Sequence, residues 1–309
     1  MTLKIFLLSL LSCLLSWILI KLLIPKLKSK FIDIPNERSS HKKPIPKGGG
    51  LVIILVSTIS SLILGNVTPL ICCPLGLIGL IDDYFNLPAL WRYGFQLLTV
   101  ISLLKLSPII KSLGEFPIIV WLLILIACTG IINFTNFMDG LDGLIAGCML
   151  IVFIYASIKV NSNLWIFVGS ILGFLKWNWS PAKIFMGDSG STFLGAIFTS
   201  LLINSSSWEI TVGFLLIASP LLSDACICVI RRGMAGHSIF RPHKLHLYQR
   251  LNQANWSHSK VSLLYCTSTA SIAICLLIAD IKAAVMISIF LLLVGIWLDQ
   301  KIARPFLIK

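Results

Sequence analysis

Long apolar runs follow one another along this chain, separated by short polar breaks. Eleven of them read as helices, roughly 2–24, 48–65, 68–82, 92–106, 116–135, 142–158, 164–177, 190–204, 209–230, 261–279 and 283–298. Crossing a bilayer takes about 20 apolar residues, and fewer where packing or bilayer thinning helps. The third and fourth runs are short, and Pro69 and Pro74 interrupt the third. Gly65-Asn66, Asn161-Ser162-Asn163 and Ser205-Ser206-Ser207 mark turns between runs. The pattern predicts an all-α, polytopic integral membrane protein with 10–11 transmembrane helices, forming one domain over residues 1–309.

Composition supports that class. The chain is 57% hydrophobic and 12% charged, whereas soluble proteins average about 25% charged. The first run is too long for a signal peptide, and no small-residue cleavage pattern follows it, so it reads as a retained helix. The nine cysteines lie singly or as Cys72-Cys73, without matched CxxC pairs, and read as free, buried, small apolar residues.

Charge gives the orientation. Of the 25 Lys and Arg, only Lys4, Lys105, Lys111, Lys159 and Lys282 fall on the side of the even-numbered turns; Lys21 lies within the first run. The excess of positive charge on the other side predicts an external N-terminus. It puts the segments 25–47, 82–92, 136–142, 177–190 and 231–260 at the cytoplasmic face. All five histidines share that face.

The polar clusters fall there too. Asp82-Asp83 closes the third run; adjacent carboxylates on a basic rim suit a proton acceptor or a partner for a cation. In "NFTNFMDGLDGL", Asn133, Asn136, Asp139 and Asp142 recur every three residues, which places them on one helical stripe. Their oxygens suit Mg²⁺. The plainer reading makes Asp142 a helix N-cap, which explains one of the four. "WNWSPAKIFMGDSGS" carries Asn178, Phe185 and Asp188; Asp188 caps a helix or binds a ligand, and the Phe185 ring suits stacking on a base. "RRGMAGHSIFRPHKLHLYQR" supplies Arg241, His243, Lys244, His246 and Arg250. Arg and Lys grip phosphate oxygens and His donates to them, whereas a plain basic loop would bind anionic headgroups. A metal at His243 and His246 lacks further ligands nearby in sequence. Carboxylates, amides and phosphate-binding cations together suit phosphoryl transfer at a membrane surface.

These motifs, with "DIPNERSSHKKPIPKGGG" and "PHKLHLYQRL", span residues 33 to 251 and resemble the polyprenyl-phosphate N-acetylhexosamine-1-phosphate transferase family. The resemblance implies a reaction in which a lipid phosphate attacks the β-phosphorus of a UDP-N-acetylhexosamine, releasing UMP and giving a polyprenyl-diphospho-sugar. It implies Mg²⁺, or Mn²⁺, held by Asp188 and Asn136. Asp82 and Asp83 match the catalytic pair, and Asp142 and Phe185 the uridine contacts. Arg92 matches a pyrophosphate-binding position, and His243 and Lys244 the pyrophosphate and sugar loop. Asp139, Asn178, Arg241 and His246 complete the expected substrate-binding set. The acceptor is expected to be undecaprenyl phosphate, in a bacterial cytoplasmic membrane with the active site facing the cytoplasm. Membrane lipids are expected partners, nucleic acid is not, and a homodimer is left open.

Two departures stand out. The family's DDxxD ends here in Asn86, and His243 and His246 are separated by Lys244-Leu245 rather than forming a run of histidines. The second resembles the O-antigen or capsule branch more than the muramoyl-pentapeptide branch. A secondary transporter of an anionic solute is the rival, but it calls for charges deep in several runs. Only Lys21 and Asp224 lie there, and Asp224 is expected to pair with Arg231 or Arg232.

Overall fold

The computed structural model describes residues 2–28, 31–35, 40–41, 43–107, 117–237 and 243–306. The described residues form the helices α1 (Leu3–Leu27), α2 (Gly50–Ile63), α3 (Thr68–Phe85), α4 (Ala89–Leu106), α5 (Ile118–Phe137), α6 (Leu144–Lys159), α7 (Trp165–Asn178), α8 (Gly187–Ile203), α9 (Trp208–Met234), α10 (Leu247–Gln253), α11 (His258–Ile278) and α12 (Ile281–Lys301). A short antiparallel pair joins β1 (Ile32–Asp33) to β2 (Ile45–Pro46). Each predicted run is a helix, and α10 is an additional short one.

Helices α1, α3, α5, α9, α11 and α12 are long and apolar enough to cross a membrane. The chain is a multi-pass membrane protein. The outer faces of α1 and α12 expose rows of Leu, Ile and Phe, as lipid contact requires. Two pairs of buried hydroxyls bond one another between helices. Ser16 meets Ser170 across α1 and α7 at 3.0 Å, and Ser12 meets Ser60 across α1 and α2 at 3.0 Å. Such small residues let helices approach where water gives no driving force.

Helices α3 and α4 are longer than their apolar runs. Pro69 sits in the first turn of α3, where its missing N–H costs nothing. The helix then continues past Pro74 and through Asp82-Asp83 to Asn86, which ends it at φ 51° while its N–H bonds the Asp82 carbonyl at 2.9 Å. Asn tolerates this left-handed conformation better than most residues. The residue that departs from DDxxD is thus the helix terminator.

Because the long helices alternate in direction, the C-terminal ends of α1, α3, α5, α7, α9 and α12 meet the N-terminal ends of α2, α4, α6, α8 and α11 on one face. The described residues of the predicted polar clusters lie on that face.

Candidate active site

Two helices bring the acids together. Gly79 on α3 lies against the backbone of Asp188 and Ser189 on α8; a Cβ there would stand 2.6 Å from the Asp188 carbonyl oxygen. That close approach sets the C-terminal end of α3 beside the first turn of α8.

Asp82 and Asp83 have different surroundings. Asp82 Oδ1 accepts the Leu87 N–H at 2.7 Å, and its Oδ2 accepts Arg92 Nη1 at 3.1 Å. Asp83 Oδ1 lies 3.4 Å from Lys47 Nζ. Asp83 Oδ2 is buried without a hydrogen-bond partner among the described residues. Arg92 Nη1 also stands 3.9 Å from Asp188 Oδ2. Asn136 Nδ2 donates to Asp188 Oδ1 at 3.0 Å and to Ser191 Oγ at 2.9 Å. Asp139 follows just beyond α5, its carboxyl pushed up to about 8 by burial and then by the charges of Asp188 and Asp83. The charges of these three carboxyls therefore act on one another, and one of them, Asp83, keeps a buried oxygen with no hydrogen-bond partner among the described residues.

The helical stripe expected from residue 133 to 142 is cut short. α5 ends at Phe137, and Gly143 takes φ 73° before α6 begins. A side chain at Gly143 would meet the Trp179 ring. Asn133 and Asn136 remain on the helix, and Asn133 exchanges two amide bonds with Gln96, at 3.0 and 2.9 Å.

Asp142 is not an N-cap; Gly143 holds that position without a side-chain bond. Its Oδ2 accepts the Ala182 N–H at 3.1 Å, and its Oδ1 lies 3.1 Å from His258 Nδ1. Burial works to raise the Asp142 carboxyl, but the His258 bond and charge and the Ala182 N–H hold it below its ordinary value. Asn178 likewise uses both ends of its amide, accepting from Gly143 N–H at 3.1 Å and donating to the Ile184 carbonyl at 3.0 Å. Asp142 and Asn178 thus fasten the 178–184 loop to the start of α6.

Phe185 is clamped by backbone bonds to the first loop. Its N–H donates to the Pro46 carbonyl at 2.8 Å, and its carbonyl accepts the Gly49 N–H at 2.9 Å. Its half-buried ring meets His41 edge-on, with centroids 4.9 Å apart. This clamp carries Lys47 to Asp83. Lys47 was not singled out in the sequence, where one loop lysine looks like any other; the Gly48-Gly49-Gly50 run after it was the available signal.

A cleft of ≈ 330 Å³ is lined by Asp82, Arg92, Asn136, Asp188, His243 and His246, among others. His243 Nδ1 accepts the Leu245 N–H at 3.2 Å, and its ring stacks on His246 at 4.9 Å. Lys244 follows on the same loop, its carbonyl accepting Gln253 Nε2 at 2.9 Å. Arg241 lies outside the described residues. Asp224 does not pair with Arg231 or Arg232 as expected. Its oxygens accept the first N–H groups of α10, from Leu247 at 2.7 Å and Tyr248 at 3.0 Å, and the Tyr265 hydroxyl at 2.7 Å. A helix start has unpaired N–H groups, and a buried carboxylate is a strong acceptor for them. Arg231 pairs instead with Asp299, at 3.0 Å.

An all-helical membrane bundle with this acidic cleft at one face defines a class, and comparison with known proteins assigns it. The chain belongs to Glycosyl transferase family 4, whose pattern matches residues 66–206. It is 32% identical over 290 residues to the decaprenyl-phosphate N-acetylglucosaminephosphotransferase of Mycolicibacterium smegmatis, covering 75% of this chain and 71% of that one. It is 28% identical to the probable undecaprenyl-phosphate N-acetylglucosaminyl 1-phosphate transferase of Bacillus subtilis, over 88% of this chain and 84% of that one. The phospho-N-acetylmuramoyl-pentapeptide-transferase of Staphylococcus saprophyticus is 30% identical, over 85% and 95%.

Proposed function

We propose that this protein is a membrane phosphotransferase that moves an N-acetylhexosamine-1-phosphate from a UDP-sugar to polyprenyl phosphate. Its family relatives carry that acceptor in their names: decaprenyl phosphate in one case, undecaprenyl phosphate in another. The observation that carries the reading is the acidic ring of Asp188, Asp139 and Asp83, whose charges act on one another, with Asp188 and Arg92 lining the cleft and Lys47 held at Asp83 behind it. Anionic phosphates and a divalent cation together satisfy such an arrangement.

The ring fits Mg²⁺. Asp188 would supply hard oxygen ligands, and Asn136 would join it once its amide turns over from donating to Asp188 Oδ1 to presenting its oxygen. Asp83 Oδ2, unpartnered among the described residues, belongs to the same acidic centre. When bound, the ion would neutralise charge on the phosphates. The chain's own residues do the rest. Arg92, His243 and Lys244 hold the donor pyrophosphate in line, since positioning dominates phosphoryl transfer. The Phe185 ring offers a stacking face for the base.

Asp83 is the proton acceptor. Both oxygens of Asp82 are occupied by Arg92 and the Leu87 N–H, so Asp82 positions Arg92, whereas Asp83 keeps one oxygen free. Asp83 takes the proton from the acceptor phosphate, whose oxygen attacks the β-phosphorus while the bond to UMP breaks. Asp142 and Asn178 act through the loop they fasten. The positive rim orients this face to the cytoplasm.

The test is release of UMP by purified protein given Mg²⁺, undecaprenyl phosphate and a panel of UDP-N-acetylhexosamines. Release that needs both lipid and metal supports the reading; none with any donor overturns it.

A further inference from the structure

Sequence spacing gives His243 and His246 no third ligand, but the fold does. Helix α9 brings Cys228 to the loop that carries them, and one coordinating atom from each of the three lies within 4.8 Å of the others. Cys228 and His246 are buried, and the two imidazoles are stacked 4.9 Å apart. A further observation is the His246 Nδ1, which is buried without a hydrogen-bond partner among the described residues and stands 3.8 Å from Asp224 Oδ1. Asp224 itself is fixed by the Leu247 and Tyr248 N–H groups and the Tyr265 hydroxyl. A carboxylate held rigidly behind an imidazole is the arrangement that orients metal-binding histidines.

We propose that Cys228, His243 and His246 form a zinc site, separate from the oxygen-rich acidic ring. One thiolate and two imidazoles select zinc over Mg²⁺, which takes oxygen. With Zn–S of about 2.3 Å and Zn–N of about 2.0–2.1 Å, tetrahedral donors stand roughly 3.3–3.6 Å apart. Closing the set therefore takes movement of about an ångström, and the fourth position is left for water. On binding, the Cys228 thiol gives its proton to solvent and its sulfur lone pair to the ion. Of the three cations near Cys228, Arg231 and Arg250 pair with Asp299, which offsets their repulsion of the metal, while Arg232 also acts on the thiol.

The site has a consequence for turnover. His243 and His246 also line the acidic cleft. Zinc bound here draws the His243 ring away from donor phosphates, so zinc inhibits even with Mg²⁺ in excess. That consequence rests on the proposed transferase reading; the binding itself does not.

The binding test uses the full-length protein in detergent without substrates. Cobalt(II) serves as a probe, since thiolate ligation gives a charge-transfer band in the near ultraviolet. The expected result is one saturating site with that band in the wild type, lost in both Cys228→Ser and Cys228→Ala. No band in the wild type, or a band unchanged in both variants, overturns the proposal. Zinc-edge X-ray absorption on the wild type covers the case of unstable variants: a first shell with one sulfur and imidazole nitrogens supports the site, and one without sulfur sinks it. In the assay, Cys228→Ser should keep basal UMP release and need more than about tenfold more zinc for half-inhibition.

Discussion

Asp82 and Asp83 are neighbours in sequence, yet each meets a cation from a different part of the chain: Arg92 on α4 for the first, Lys47 from the loop before α2 for the second. Their roles separate accordingly. Asp83→Asn should lower UMP release by about 10²–10⁴-fold, the usual range for removing a general base. Asp82→Asn should cost less in turnover and raise the KM for the UDP-sugar, because it frees Arg92. Steady-state kinetics on the two variants decide this, and equal kcat losses would return the pair to a shared role.

Metal dependence should reside in Asp188. Chelation with EDTA should abolish UMP release, and Mg²⁺ should restore it. Asp188→Asn should demand at least about tenfold more Mg²⁺ for half-maximal rate. A Mg²⁺ titration matching the wild type would remove Asp188 from the proposed ligand set.

The tie between Asp142 and the Ala182 N–H and His258 should appear in stability against pH. The folded carboxyl lies below its ordinary value, so its contribution is present above the ordinary carboxylate range and is lost as pH falls through the folded value. At neutral pH, Asp142→Asn should cost about 1.5–3 kcal/mol, the worth of hydrogen bonds to a charged group. Thermal unfolding in detergent should show a lower midpoint for the variant at pH 7. The two curves should converge in strong acid; a constant gap across pH would show the charge to be irrelevant.

Gly79→Val tests whether the helix approach builds the centre. Its added carbons would press on the Asp188 backbone and drive α3 from α8. Activity should fall by orders of magnitude while the protein still inserts and purifies, as size exclusion would report. Full activity would show the spacing to be tolerant.

Much of this architecture is legible from residue order, because lipid leaves so few options. Each apolar run had to be a helix with its backbone bonds satisfied internally, so all eleven runs appear as helices. The single face of the polar clusters follows from alternation alone. What was not legible depends on contacts between distant segments. Asp224 looked like a partner for arginines one or two turns along its own helix, but it receives N–H groups of α10 instead. Asp142 looked like a cap for α6, but Gly143 took that place and turned its carboxylate toward Ala182 and His258. Lys47 meets its acid only through a helix far away in sequence, and Cys228 meets the two histidines only because the loop after its own helix folds back on it.

The clamp between residues 46–50 and 185–186 bears on biogenesis. Gly49 and Gly50 donate to carbonyls of Phe185 and Met186, and Pro46 accepts from Phe185. During synthesis the early loop waits, without these partners, until more than a hundred further residues have left the ribosome. A nascent chain halted before residue 185 would hold inserted helices whose first loop is still open to proteases, and cleavage there would fade only once α8 had emerged.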